Sequence, residues 1–125
     1  MELNELTFEI RGAIFTVFNE LGPGLLESVY ESALVYELKE KGLNVKSQVP
    51  VPVIYKGIGL ELGFRLDLLV ENKVIIEIKS VEFLQNVHKK QLLTYLKLTG
   101  LKLGILVNFN EDRLIDKESL IRIIN

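Results

Sequence analysis

At 125 residues, 48% of them hydrophobic and 26% charged, the sequence has the length and mix of one folded domain with a sizeable core. It has no cysteine and a single histidine, His88, which excludes disulfides, thiolate metal sites, a cysteine nucleophile and a two-histidine zinc centre within one chain. The net charge of −2 argues against tight non-specific binding to nucleic acid, and any catalytic metal must lean on carboxylates and water, which suits Mg²⁺ or Mn²⁺.

The start, Met1-Glu2-Leu3-Asn4-Glu5, is acidic and lacks the basic residues and apolar run of a secretory signal. Every long apolar stretch is cut by charge, so a cytoplasmic protein without membrane contact is expected. A helix is predicted over residues 4–20, with Asn4 as its N-cap and Leu6, Ile10, Ile14, Val17 and Phe18 on one side. Gly22-Pro23-Gly24 breaks it and opens a second helix, which runs to about Lys41 and ends at Gly42. Leu26, Val29, Ala33 and Tyr36 are its predicted buried stripe. Val45–Tyr55 is β-branched and broken by Pro50 and Pro52, so it reads as an edge strand or two short strands. Strands are predicted over Leu60–Val70 and Val74–Ser80 around a tight turn at Glu71-Asn72-Lys73, then a helix over Val87–Thr99 and a strand over Lys102–Phe109. Ser119–Ile124 reads as a short final strand or helix. This order predicts a single α/β domain over residues 1–125, a sandwich around a mixed sheet. Charge is uneven: Lys73, Lys79, Lys89, Lys90, Lys97 and Lys102 cluster late in the chain, leaving room for one basic face.

The chemistry lies in the hairpin. Strand alternation places Arg65, Asp67 and Leu69 on one face, opposite Leu66, Leu68 and Val70, and sets Ile75, Glu77 and Lys79 against Val74, Ile76 and Ile78. A three-residue loop would bring Asp67 opposite Glu77. Two carboxylates side by side repel unless a cation lies between them, and a divalent ion would take oxygens from both. Lys79 could then orient or deprotonate a water, or offset charge on a phosphate. The same alternation also describes an ordinary half-exposed hairpin in which Lys79 pairs with a carboxylate across the strands. Arg65 could bind phosphate or neutralise Asp67. Tyr30 reads as a packing residue, and His88 as a surface or hydrogen-bonded histidine.

Gly24-Leu25-Leu26-Glu27-Ser28-Val29-Tyr30 resembles the signature of the GxxExxY proteins, a branch of the PD-(D/E)XK nuclease superfamily. The likeness continues through Arg65–Val70, Ile76–Lys79, His88–Lys97 and Gly104–Phe109, over nearly the whole chain. It implies a restriction-endonuclease-like fold, a mixed central sheet flanked by helices. It implies that Asp67 and Glu77 hold Mg²⁺ (or Mn²⁺) with the Ile78 carbonyl, that Lys79 is the catalytic lysine, and that Glu27 reaches the metal from its helix. Gln91 and Tyr95 resemble a Gln-x-x-x-Tyr element that meets substrate. Leu66 stands where the motif name has proline. The implied activity is hydrolysis of phosphodiester bonds in DNA, or in RNA, by a chain that acts alone, as a homodimer or with a partner protein. The rival is a nuclease-fold module that binds nucleic acid or protein without cleaving.

Overall fold

The computed structural model describes residues 1–125, apart from the side chains at positions 61 and 62. Helices α1 (Leu3–Leu21) and α2 (Glu27–Glu40) come first, followed by strands β1 (Val45–Tyr55), β2 (Ile58–Val70) and β3 (Val74–Lys79). Helix α3 (Asn86–Thr99), β4 (Leu103–Asn108) and β5 (Leu120–Ile124) complete the chain. The five strands lie in sequence order in one sheet. Only β3 and β4 run parallel, because α3 carries the chain back between them; the other neighbours are antiparallel. This is the mixed sheet with flanking helices expected of a restriction-endonuclease-like fold.

Helices α1 and α2 cover one face of the sheet. Leu6, Ile10, Ile14 and Val17 of α1 are buried there with Val74, Ile76, Ile78, Ile105 and Val107. Helix α3 covers part of the other face, setting Leu92, Tyr95 and Leu96 against Ile75 and Leu106. Gly104 permits that approach: a Cβ there would lie 2.8 Å from a methyl of Leu92. At each strand of this core the inward aliphatic side chains are β-branched or leucine, which suits a pleated surface packed on both sides.

Three local expectations are corrected. Helix α1 begins at Leu3, one residue before the expected range, with Glu2 as the extended residue ahead of it, so Asn4 lies inside the helix and instead accepts a hydrogen bond from Arg122. Phe18 is only partly buried. The buried stripe of α2 is Tyr30, Leu34 and Leu38, whereas Leu26, Val29 and Tyr36 are exposed and Ala33 is partly buried. Two stripes of apolar residues run along this helix at helical spacing, and packing chose the one containing Tyr30. Its ring stacks on Phe109 with centroids 4.4 Å apart, and its hydroxyl donates to the Gly22 carbonyl and accepts from the Leu25 amide. The hydroxyl is thus satisfied, and the tyrosine can be buried without the usual polar penalty.

The β2 alternation also departs from the sequence reading. Leu68 and Val70 join the cluster under α1 and α2, but Leu66 joins the cluster under α3. The change of side falls at one rung. Ser47 pairs with Leu68 and Val49 with Leu66, while between them Gln48 adopts a left-handed φ of 52°. That conformation is rare for a side-chain-bearing residue, and the β1–β2 register itself shifts only later, between Val51 and Val53.

Candidate active site

The Glu71-Asn72-Lys73 turn sets the β2–β3 register. Glu71 and Asn72 take positive φ angles, and Val70, Leu69 and Leu68 pair with Val74, Ile75 and Ile76. The next rung would join Asp67 to Glu77, and there side chains replace backbone partners. The Ile78 amide donates to Asp67 Oδ2 at 2.7 Å, and the Asp67 amide donates to Glu77 Oε2 at 3.3 Å. Each carboxylate thus holds the other strand's amide, and the two side chains are brought within hydrogen-bonding reach of each other.

Their environments differ. Asp67 is half-buried, whereas Glu77 is only 4% exposed and its Oε1 has no hydrogen-bond partner. Burial pushes the Glu77 carboxyl up to about 9, reinforced by the hydrogen bond and charge of Asp67 and opposed by the Asp67 amide and Lys79. At neutral pH Glu77 is therefore protonated in the bare protein. Lys79 is two residues on, half-buried, at the end of β3, and among the described residues it joins no ion pair.

Helix α2 brings a third acid. The Ser80 amide donates to Glu27 Oε2 at 3.0 Å, and the Ser80 hydroxyl donates to the Leu25 carbonyl at 2.6 Å. Glu27 is thereby tied to the residue after Lys79. It also sits in the first turn of α2, where the helix dipole favours a negative charge. The tyrosine bonds that pin Gly22 and Leu25 fix where that helix begins; Gly22 (φ 68°) and Gly24 (φ 97°) supply backbone angles other residues resist. Across the site, Tyr95 of α3 faces the same acids. Burial first, then the charges of Glu77 and Asp67, raise its phenol to about 12. Gln91, one turn earlier, is half-buried. Arg65 is exposed, donates to the Gln48 carbonyl at 3.4 Å and makes no ion pair with Asp67.

Two participants escaped the sequence reading. Glu31 lies one turn after Glu27; burial raises its carboxyl, a hydrogen bond from Gln48 opposes this, and the charges of Asp67 and Glu27 add to it. The i, i+4 spacing from Glu27 was the available signal. Asn108, fully buried beside Lys79 on β4, accepts from the Val81 amide at 3.0 Å and donates to the Val81 carbonyl at 2.9 Å. It clamps the chain just beyond the lysine.

Among the described residues no three His, Cys, Asp or Glu side chains converge tightly enough to enclose a metal ion. The donor set nevertheless fits a Mg²⁺-type ion, which commonly takes one or two carboxylates and fills its remaining positions with water. The orphaned Oε1 of Glu77 and the second oxygen of Asp67 are such donors. A cation between them would take the place of the Glu77 proton and offset the charge of both carboxylates.

The model of the PD-(D/E)XK nuclease superfamily matches residues 4–123. A solved structure described as that of SSO0001 is similar at 28% identity and a TM-score of 0.60, over 78% of this chain and 50% of its own. The chain therefore spans about half the length of that protein. No curated protein matched. No helix is long and apolar enough to cross a membrane. The chain belongs to the PD-(D/E)XK nuclease superfamily.

Proposed function

With that membership as the premise, we propose that the chain is a GxxExxY-type, metal-dependent nuclease that hydrolyses phosphodiester bonds in DNA. The observation that carries the reading is the interrupted rung, where Glu77 is buried with an unpartnered oxygen beside Asp67 and below Lys79. An ordinary hairpin would leave such acids solvated or paired with Lys79. Asp67, Glu77 and the Ile78 carbonyl would hold Mg²⁺ or Mn²⁺, with Glu27 reaching it through water. When bound, the ion supplies Lewis-acid stabilisation of the charge that develops on the phosphate.

The remaining work belongs to side chains. Lys79 orients the attacking water and offsets negative charge at the phosphate. Gln91 and Tyr95 position the substrate from α3, and the high phenol pKa keeps Tyr95 a hydrogen-bond donor at any physiological pH. Arg65, free of Asp67, contacts a neighbouring phosphate.

The test is a cleavage assay on single- and double-stranded DNA and on RNA, with Mg²⁺ or Mn²⁺ and with EDTA. Lys79→Met should lower the rate by about 10²–10⁴-fold, the usual range for a lost proton-handling or electrostatic group, and leave metal-induced thermal stabilisation in place. Asp67→Asn should abolish both while the metal-free protein keeps its melting temperature, because asparagine still accepts the Ile78 amide. Cleavage that survives Lys79→Met, or a metal-free Asp67→Asn that clearly unfolds, would replace this reading with a non-cleaving role.

A further inference from the structure

Asp67 is flanked by an irregular rung on each side. Toward β3 its neighbour is Glu77, and side chains there take the place of backbone partners. Toward β1, Ser47 pairs with Leu68 and Val49 with Leu66, so the position across from Asp67 is the left-handed Gln48, with its φ of 52°. Gln48 also joins two other elements. Its side-chain amide donates to Glu31 Oε1 of α2 at 2.8 Å, and its carbonyl accepts from Arg65 Nη1 of β2 at 3.4 Å. Glu31 stands one turn after Glu27, and, after burial, the charges of Asp67 and Glu27 are what raise its carboxyl. It thus belongs with Glu27, Asp67 and Glu77, whose buried Oε1 lacks a partner.

Stability does not account for this arrangement. The bond between Gln48 and Glu31 is exposed and adds little to the fold, while a left-handed backbone at a glutamine raises its free energy. The chemistry of the partner is more telling. Arg65 bonds the same glutamine, yet among the described residues Glu31 joins no ion pair and is held by a neutral amide. An amide fixes a carboxylate oxygen and leaves its charge uncompensated, whereas a guanidinium would fix the oxygen and cancel the charge.

We propose that Gln48 is a positioning residue, which holds Glu31 as a further acid for the site's divalent cation and keeps its negative charge free for that ion. The inference rests on the reading of the acidic face as a Mg²⁺ or Mn²⁺ site. It also gives a reason for strain at the one β1 position that lies across from Asp67. Groups that orient the surroundings of a metal govern its affinity by about 10–100-fold, so the effect is large enough to measure.

The test titrates Mg²⁺ and Mn²⁺ into the full chain by calorimetry, beside melting temperatures of the metal-free protein. Glu31→Gln, which keeps the size and removes the charge, should weaken binding by about tenfold or more. Gln48→Gly should weaken it too, while the metal-free melting temperature holds or rises, since glycine takes a left-handed φ without strain. Gln48→Lys, whose ammonium can reach Glu31 but cancels its charge, should weaken binding at least as much as the glycine. Added to Glu31→Gln, Gln48→Gly should change the affinity little further, because both act through one group. A purely structural Gln48 would do the reverse, lowering the metal-free melting temperature and leaving the affinity alone. That result would overturn the proposal, as would parental affinity in Glu31→Gln or Gln48→Lys. Binding that needs Asp67 but not Glu31 defeats this inference alone, whereas a parent chain that binds neither ion defeats it together with the proposed function.

Discussion

The two ends of the β2–β3 hairpin are built on opposite terms. Near the turn, Leu68, Val70, Val74 and Ile76 are fully buried aliphatics in a regular ladder. One rung further, at Asp67 and Glu77, amides are held by carboxylates and a buried oxygen has no partner. The first arrangement lowers the free energy of the fold, and the second raises it. A sheet can keep such a costly rung because the neighbouring aliphatic rungs hold the strands together around it, so stability and chemistry are separated by a single residue step.

Acidity should separate the two ends most strongly. In the native protein the Glu77 carboxyl stands at about 9, against 4.5 for an ordinary glutamate. Between those pH values the folded state therefore binds the extra proton. Stability of the metal-free protein should fall as pH rises through that window, by at most about 1.4 kcal/mol per pH unit, and then level off. Glu77→Gln should flatten the slope and leave the variant more stable than the parent at pH 9. Denaturant titrations across pH would show it, and an unchanged slope in Glu77→Gln would assign the pH dependence elsewhere.

At the regular end, Ile76→Ala should cost about 2–5 kcal/mol through lost burial and the cavity left behind, with no change in that pH slope. Equilibrium unfolding measures both, and a slope that moved with Ile76 would mean the ends are not independent. The smallest effect is expected at the turn itself. Asn72 is exposed with a φ of 54°, so Asn72→Gly should change stability by less than about 1 kcal/mol, relief of backbone strain being offset by greater freedom of the unfolded chain. Its hydrogen bond from Lys46 is exposed and adds little.

What could be read from the sequence follows the same division. The turn and its register were legible because an odd loop between aliphatic strands admits few pairings, and Val70 opposite Val74 follows directly. The stripe of α1 was legible because only one run of its apolar residues keeps helical spacing. Helix α2 offered two, and the choice of Tyr30 over Val29 depended on Phe109, far along the chain. The acids themselves could be named, but not the burial of Glu77, the approach of Glu31, or the turn of Arg65 toward Gln48. Those depend on how α2, α3 and the strands pack together, and the left-handed Gln48 beside them is a backbone choice that no side-chain period encodes.

A backbone amide held by a carbonyl is released only when strands part, but the Ile78 amide is held by the Asp67 side chain. Its exchange with deuterated solvent therefore reports a rotamer rather than the opening of the sheet. Anything that draws the Asp67 carboxylate outward should unlock that one amide while Ile76, in the regular ladder, stays protected. The interrupted rung thus carries its own reporter, readable one proton at a time without any substrate.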